Sequence, residues 1–101
     1  MRPRYLEMTK INQVNLKFLT YECQATLKLI EIGGILPYRK DGNIFKNLEN
    51  ALPVKDSDYY REYTVPTPAI TTRGSRRLVI GKSGEVYYTS DHYNSFQEVI
   101  Y

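Results

Sequence analysis

The chain has a single cysteine, Cys23. No internal disulfide can form, the fold must hold without one, and a reducing compartment is permitted. It also lacks any run of about eighteen apolar residues, so no membrane-spanning helix is expected. A charged segment followed by an apolar one is missing near the start, so no secretion signal is expected. Either such a signal has been removed or the chain is a piece of a longer protein. The marks of disorder are missing too: 42% of the 101 residues are hydrophobic and 25% charged, the balance of a folded domain. That length allows one modest core and not two. The net charge of +3 favours polyanionic partners only weakly and fixes no function.

Residues 1–14, polar and basic with Pro3 and no clear period, read as a leader or tail, leaving 15–101 as a single domain. From about Asn15, Leu16, Leu19, Cys23, Leu27 and Ile30 recur at threes and fours, the stripe of an amphipathic helix. Gly33 and Gly34 end it. Between Pro37 and Pro53 the chain is broken every few residues by Asp41-Gly42, Asn43, Asn47 and Asn50, which predicts loops. After that the period falls to two. Glu62 to Val65, Arg76 to Ile80, Val86 to Thr89 and Phe96 to Ile100 are β-branched and aromatic runs between turn residues. The expected fold class is α+β, one N-terminal helix packed on a small antiparallel sheet.

Alternation places Tyr60, Glu62 and Thr64 on one side of their strand, and Arg77 with Val79 on one side of theirs. With Leu78 and Ile80 as the core face, Arg77 is expected on an open face and Arg76 at the rim. Tyrosines number ten and come partly in pairs, Tyr59-Tyr60 and Tyr87-Tyr88, so one of each pair is expected to face the core. Such aromatic faces could also stack on the bases of single-stranded RNA.

Glu62, Arg73, Arg77 and the sole histidine, His92, lie within the last forty residues. Taken singly, His92 is an ordinary surface histidine and Glu62 an ordinary solvated strand carboxylate. As a set they can cleave a phosphodiester without a metal. A ribose 2′-OH attacks its neighbouring phosphate if one group takes its proton and another protonates the leaving 5′-oxygen. Guanidinium forks then stabilise the charge that builds on the non-bridging oxygens.

The order and spacing of LKLI, PYRKDG, FKNLENALP, YYREYTVPTP and TRGSRR from Leu27 onward, and of YYTSDHYNSF after a short loop change, carry a resemblance. The chain resembles the small microbial guanyl-specific ribonucleases, the family of barnase and of the Streptomyces enzymes, over about three quarters of its length. The resemblance implies Glu62 as general base, His92 as general acid, and Arg73 and Arg77 on the phosphate with help from Tyr93. It places base recognition on Phe45, Lys46, Asn47, Leu48 and Glu49, with Tyr38 near the nucleotide. Glu49 would accept from guanine N1–H and N2–H₂ together, a donor pair that adenine lacks. No metal or other cofactor is implied. Two departures stand out. Leu48 replaces an arginine that relatives often carry before that glutamate, and the disulfide of the Streptomyces enzymes is missing, which leaves Cys23 as a buried thiol on the helix stripe.

The expected activity is therefore guanine-preferring cleavage of single-stranded RNA through a 2′,3′-cyclic phosphate. The alternative is a non-catalytic RNA-binding module of the same fold, although binding alone would not need a base and an acid together. The missing disulfide and basic leader also suit a monomeric toxin domain, secreted or delivered into a target-cell cytoplasm. An acidic inhibitor protein would then be its partner, with no membrane association.

Overall fold

The structure, a computed structural model, describes residues 11–101. It contains one helix, α1 (Tyr21–Glu31), and a six-stranded sheet. The strands are β1 (Gln13–Asn15), β2 (Asn43–Phe45), β3 (Tyr60–Thr64), β4 (Arg77–Gly81), β5 (Val86–Thr89) and β6 (Gln97–Ile100). Spatial order is β1-β6-β5-β4-β3-β2. Every pairing from β2 to β6 is antiparallel, as the alternation predicts, while β1 lies parallel to β6 at the edge, Val14 facing Val99.

β1 moves the domain boundary drawn from the sequence. Gln13 and Val14 belong to the sheet, and Ile11 packs against the core, so residues 11–14 are part of the fold. Residues 1–10 of the expected leader lie outside the described residues. A three-residue strand carries too little alternation to be seen in sequence.

The helix also begins later than its stripe suggests. Asn15 caps a 3-10 turn at Leu16–Phe18, and the Thr20 side chain then accepts from the Cys23 amide at 3.2 Å, which starts α1 at Tyr21. Leu16 and Leu19 still pack on the core from outside the helix. Gly33, at φ +70°, supplies the left-handed residue that ends the helix, and the next amide bonds Leu29 O at 2.9 Å.

Both faces of the sheet are covered. Cys23 and Leu27 of α1 pack against Val65, Leu78, Val86, Tyr88 and Val99 on one face. On the other, Leu52 from the loop after β2 lies over Tyr60, Val79 and Tyr87, with Phe45, Tyr93 and Phe96 around them. Two expectations change in consequence. Tyr87 and Tyr88 are both buried, one in each cluster, and Arg77 is only 2% exposed instead of lying on an open face. Arg76 is half-buried, and its carbonyl accepts from the Val65 amide.

Candidate active site

Strand register brings the acid and basic groups together. Glu62 faces Val79 and Thr64 faces Arg77 across β3 and β4, while Phe45 faces Tyr60 and Asn43 faces Glu62 across β2 and β3. Directly paired residues project to one side. Phe45, Glu62, Thr64 and Arg77 therefore share the face away from α1.

A cleft of about 560 Å³ opens on this face. Its lining includes Phe45 at the end of β2 and Lys46, Asn47, Leu48 and Glu49 from the loop after it, with Glu62 of β3 and His92 and Tyr93 of the loop after β5. Eight of the residues singled out in sequence thus meet in one place. Tyr38 does not join them: it sits in the turn before β2, where its carbonyl accepts from the Asp41 amide at 3.0 Å. Ile44, Ala51 and Asn94 also line the cleft. Their only sequence signal is adjacency to residues already chosen.

At one wall the Tyr93 hydroxyl donates to Glu62 Oε1. Arg73 Nη2 lies 3.9 Å from the same oxygen, an ion pair but not a hydrogen bond. Arg73 Nε donates to Thr64 Oγ1 at 2.7 Å, and Arg77 Nη1 donates to the carbonyls of Gly74 at 2.9 Å and Arg76 at 2.8 Å. Arg73 Nη2 and Arg77 Nε remain buried without a hydrogen-bond partner. Two buried N–H donors without partners, one on a half-buried and one on a buried guanidinium, are costly to the fold and suit an anion. The Tyr93 phenol is pushed well up, by burial first and then by its bond to Glu62, with the Arg77 charge opposing. It stays a neutral donor.

The histidine loop holds an uncommon conformation. His92 and Tyr93 are consecutive left-handed residues, at φ 56° and 76°, a cost of order 1–3 kcal/mol each. Neighbouring bonds enforce it. The Tyr93 amide donates to Thr89 Oγ1 at 3.1 Å, the His92 amide to Ser75 O at 2.9 Å, and Asp91 accepts from Thr89 Oγ1, the Ser95 amide and Ser95 Oγ at 2.7, 2.9 and 2.7 Å. These bonds hold the Asp91 carboxyl below the usual carboxylate range, those from Ser95 and Thr89 foremost. His92 itself is exposed and its ring lies 4.7 Å from that of Tyr93.

The loop after β2 is closed by Asn47. Its side chain is buried, donates to Leu52 O at 2.9 Å and accepts from the Leu52 amide at 3.0 Å. Asn47 and Asn50 both take left-handed backbones, at φ 55° and 56°, which Asn tolerates better than other side chains. Glu49 and Lys46 are exposed on this loop and Leu48 is 83% exposed. Phe45 stacks on Tyr93 with centroids 4.8 Å apart, tying the loop to the histidine side of the cleft.

The family model for ribonuclease matches residues 4–100. The chain is 50% identical to guanyl-specific ribonuclease St of Saccharopolyspora erythraea over 88 residues, 87% of each chain. It is 48% identical to guanyl-specific ribonuclease Sa of Kitasatospora aureofaciens over 84 residues, 82% of this chain and 88% of the relative. Among solved structures, ribonuclease Sa2 in complex with mononucleotides superposes with a TM-score of 0.89 at 43% identity, covering 91% of this chain and 96% of that one. Ribonuclease Sa2 with guanosine-2′-cyclophosphate gives 0.86 at 44% identity over 90% and 97%. With half the sequence shared across nearly the whole length, the chain belongs to the microbial guanyl-specific ribonuclease family, a family of endoribonucleases.

Proposed function

We propose that this protein cleaves single-stranded RNA on the 3′ side of guanine by transphosphorylation. The observation that carries the reading is the convergence, beside one cleft, of a carboxylate, an imidazole and two guanidinium groups, Arg73 half-buried and Arg77 buried, each with a buried unpaired N–H donor. Glu62 takes the proton from the 2′-OH, which attacks the adjacent phosphorus and forms the 2′,3′-cyclic phosphate. His92 protonates the departing 5′-oxygen. Water then opens the cyclic ester with the two roles exchanged, as microscopic reversibility requires. Arg73 and Arg77 meet the charge on the phosphoryl oxygens, and the Tyr93 hydroxyl orients Glu62. These groups supply base, acid and charge among themselves, so the scheme calls for no metal. DNA, without a 2′-OH, offers no internal nucleophile.

Guanine preference rests on the Glu49 carboxylate, which would accept from N1–H and N2–H₂, and on backbone amides of the 45–49 loop, which would donate to O6. The names of the relatives and the guanosine ligand of ribonuclease Sa2 support this choice of base. The protein, with EDTA present and beside a His92→Gln variant, is given GpC, ApC and UpC. Cleavage of GpC to a 2′,3′-cyclic product, lost in the variant, is expected. Equal cleavage of all three would remove base selection, and no cleavage would leave an RNA-binding module.

We further propose that such a monomeric nuclease acts as a toxin in a reducing cytoplasm, a setting that its lone buried thiol tolerates. A producing cell would then need an acidic inhibitor to fill the cleft and meet its arginines with carboxylates. Failure of every acidic neighbouring gene product to relieve toxicity on co-expression would count against this.

A further inference from the structure

Arg73 stands on the loop between β3 and β4, not on a strand, so something must hold its guanidinium. The bond from Nε to Thr64 Oγ1 does so. Thr64 is the last residue of β3, 1% exposed, two residues from Glu62 on the same face and directly across from Arg77. Its own amide donates to Asp41 Oδ1 at 2.7 Å, so its backbone is fixed as well. A guanidinium is planar, so fixing Nε fixes both terminal nitrogens. With Nε held, Nη2 stays 3.9 Å from Glu62, buried and unpaired. The Glu62 carboxylate, 3.9 Å from Nη2, is an acceptor within reach of the Arg73 fork once that bond is lost.

We propose that Thr64 is a positioning residue for catalysis. Its hydroxyl holds Arg73 beside Glu62 but not on it, which keeps Nη2 free for a phosphoryl oxygen and leaves Glu62 Oε1 clear of a direct guanidinium bond. The proposal rests on the catalytic reading above. Removing the hydroxyl lets Arg73 close on Glu62, and a closer opposite charge lowers the carboxyl's proton affinity.

Thr64→Val, Thr64→Ser and Arg73→Ala are assayed on GpC over a range of pH, with urea unfolding of each. Loss of a transition-state guanidinium costs on the order of a hundredfold, so Arg73→Ala is expected near that value and Thr64→Val, which only displaces the group, about tenfold in kcat. The KM of Thr64→Val should stay within about twofold, and the acidic limb of its kcat/KM profile should move to lower pH. Thr64→Ser restores both, and adding Thr64→Val to Arg73→Ala costs nothing further in kcat. Wild-type kcat and an unmoved acidic limb in Thr64→Val, beside a crippled Arg73→Ala, would overturn the positioning role alone. Full activity in Arg73→Ala would overturn the role of Arg73 and this proposal with it. A uniform fall in both Thr64 variants that tracks their unfolding would make Thr64 merely structural.

Discussion

Replacing Asn47 separates three contributions to the loop that faces the base. Asn47→Gly removes both side-chain bonds to Leu52 but keeps a residue at ease at φ 55°, while Asn47→Ala removes the bonds and adds the left-handed strain. Two hydrogen bonds at about 1 kcal/mol each, raised somewhat because the buried Leu52 amide and carbonyl lose their partner, give about 3 kcal/mol for the glycine variant. The alanine variant should lose about 1 kcal/mol more, from the left-handed backbone. Both losses fit within the roughly 5–15 kcal/mol that holds a domain of ordinary stability, so both variants should fold. The loop would then be ordered only on binding, and fixing even one residue's backbone costs about 1–2 kcal/mol, which weakens 3′-GMP binding by about tenfold or more. Urea unfolding and a 3′-GMP titration read the two effects. Unchanged affinity in a variant that has lost the expected stability would refute the bracing argument, and equal stability of the two variants would refute the strain argument.

Leu48→Arg, which places a planar cation beside the base cleft, should raise the GpC to ApC ratio of kcat/KM several-fold; an unchanged ratio would show that position 48 does not reach the base. Asp91 has a folded pKa held below its ordinary 3.8, so the stability it contributes is present above that pH and disappears as pH falls through the lower folded value. The urea stability gap between wild type and Asp91→Asn should therefore be open at pH 7 and narrow toward pH 3, and a gap constant in pH would contradict this. Burial pushes the Cys23 thiol from 9.0 up to about 12. The folded protein should resist a thiol reagent at pH 8 until urea unfolds it. Its stability relative to Cys23→Ala should fall as pH rises from 9 toward 12, because only the unfolded chain ionises in that range.

Strong periods made the main elements legible. The Val/Tyr/Arg runs alternate over four or five residues, and Leu78 with Ile80 on one face of their strand and Val79 on the other follow from that alone. Sequence could not reveal that the second face is covered, because much of its cover comes from irregular segments: Leu52, held by Asn47, together with Tyr93 and Phe96. That is why Arg77 reads as open and is buried. The start of α1 was hidden by Leu16 and Leu19, which continue the helical spacing from a 3-10 turn and an extended residue; Thr20, an N-cap type three residues before Cys23, was the available signal. β1 and β2 are three residues each and lie at the sheet's edges, where pairing and not pattern defines them. In the cleft, residue types and the family resemblance pointed to the acid, base and loop positions. Alternation placed Thr64 on the right face without giving it a role, since a threonine's bond to an arginine on a distant loop leaves no periodic trace.

The way the two arginines are held follows from what a phosphate site requires. A buried guanidinium is ordinarily stabilised by a carboxylate, and breaking such a pair leaves an uncompensated charge. Here the bracing groups are neutral: a threonine hydroxyl for Arg73, the carbonyls of Gly74 and Arg76 for Arg77. Neutral acceptors fix the plane of the fork and leave its charge uncancelled. Glu62, the one carboxylate paired with either arginine among the described residues, stands 3.9 Å from Arg73 and already accepts from Tyr93. If either arginine bonded Glu62 directly, the same contact would weaken the base and occupy the donor. The fold therefore carries two buried N–H donors without partners, at a cost in stability that an incoming phosphoryl group relieves. That cost is tolerable because both faces of the sheet are packed, so the strands beneath the site do not depend on the site's own contacts for their order.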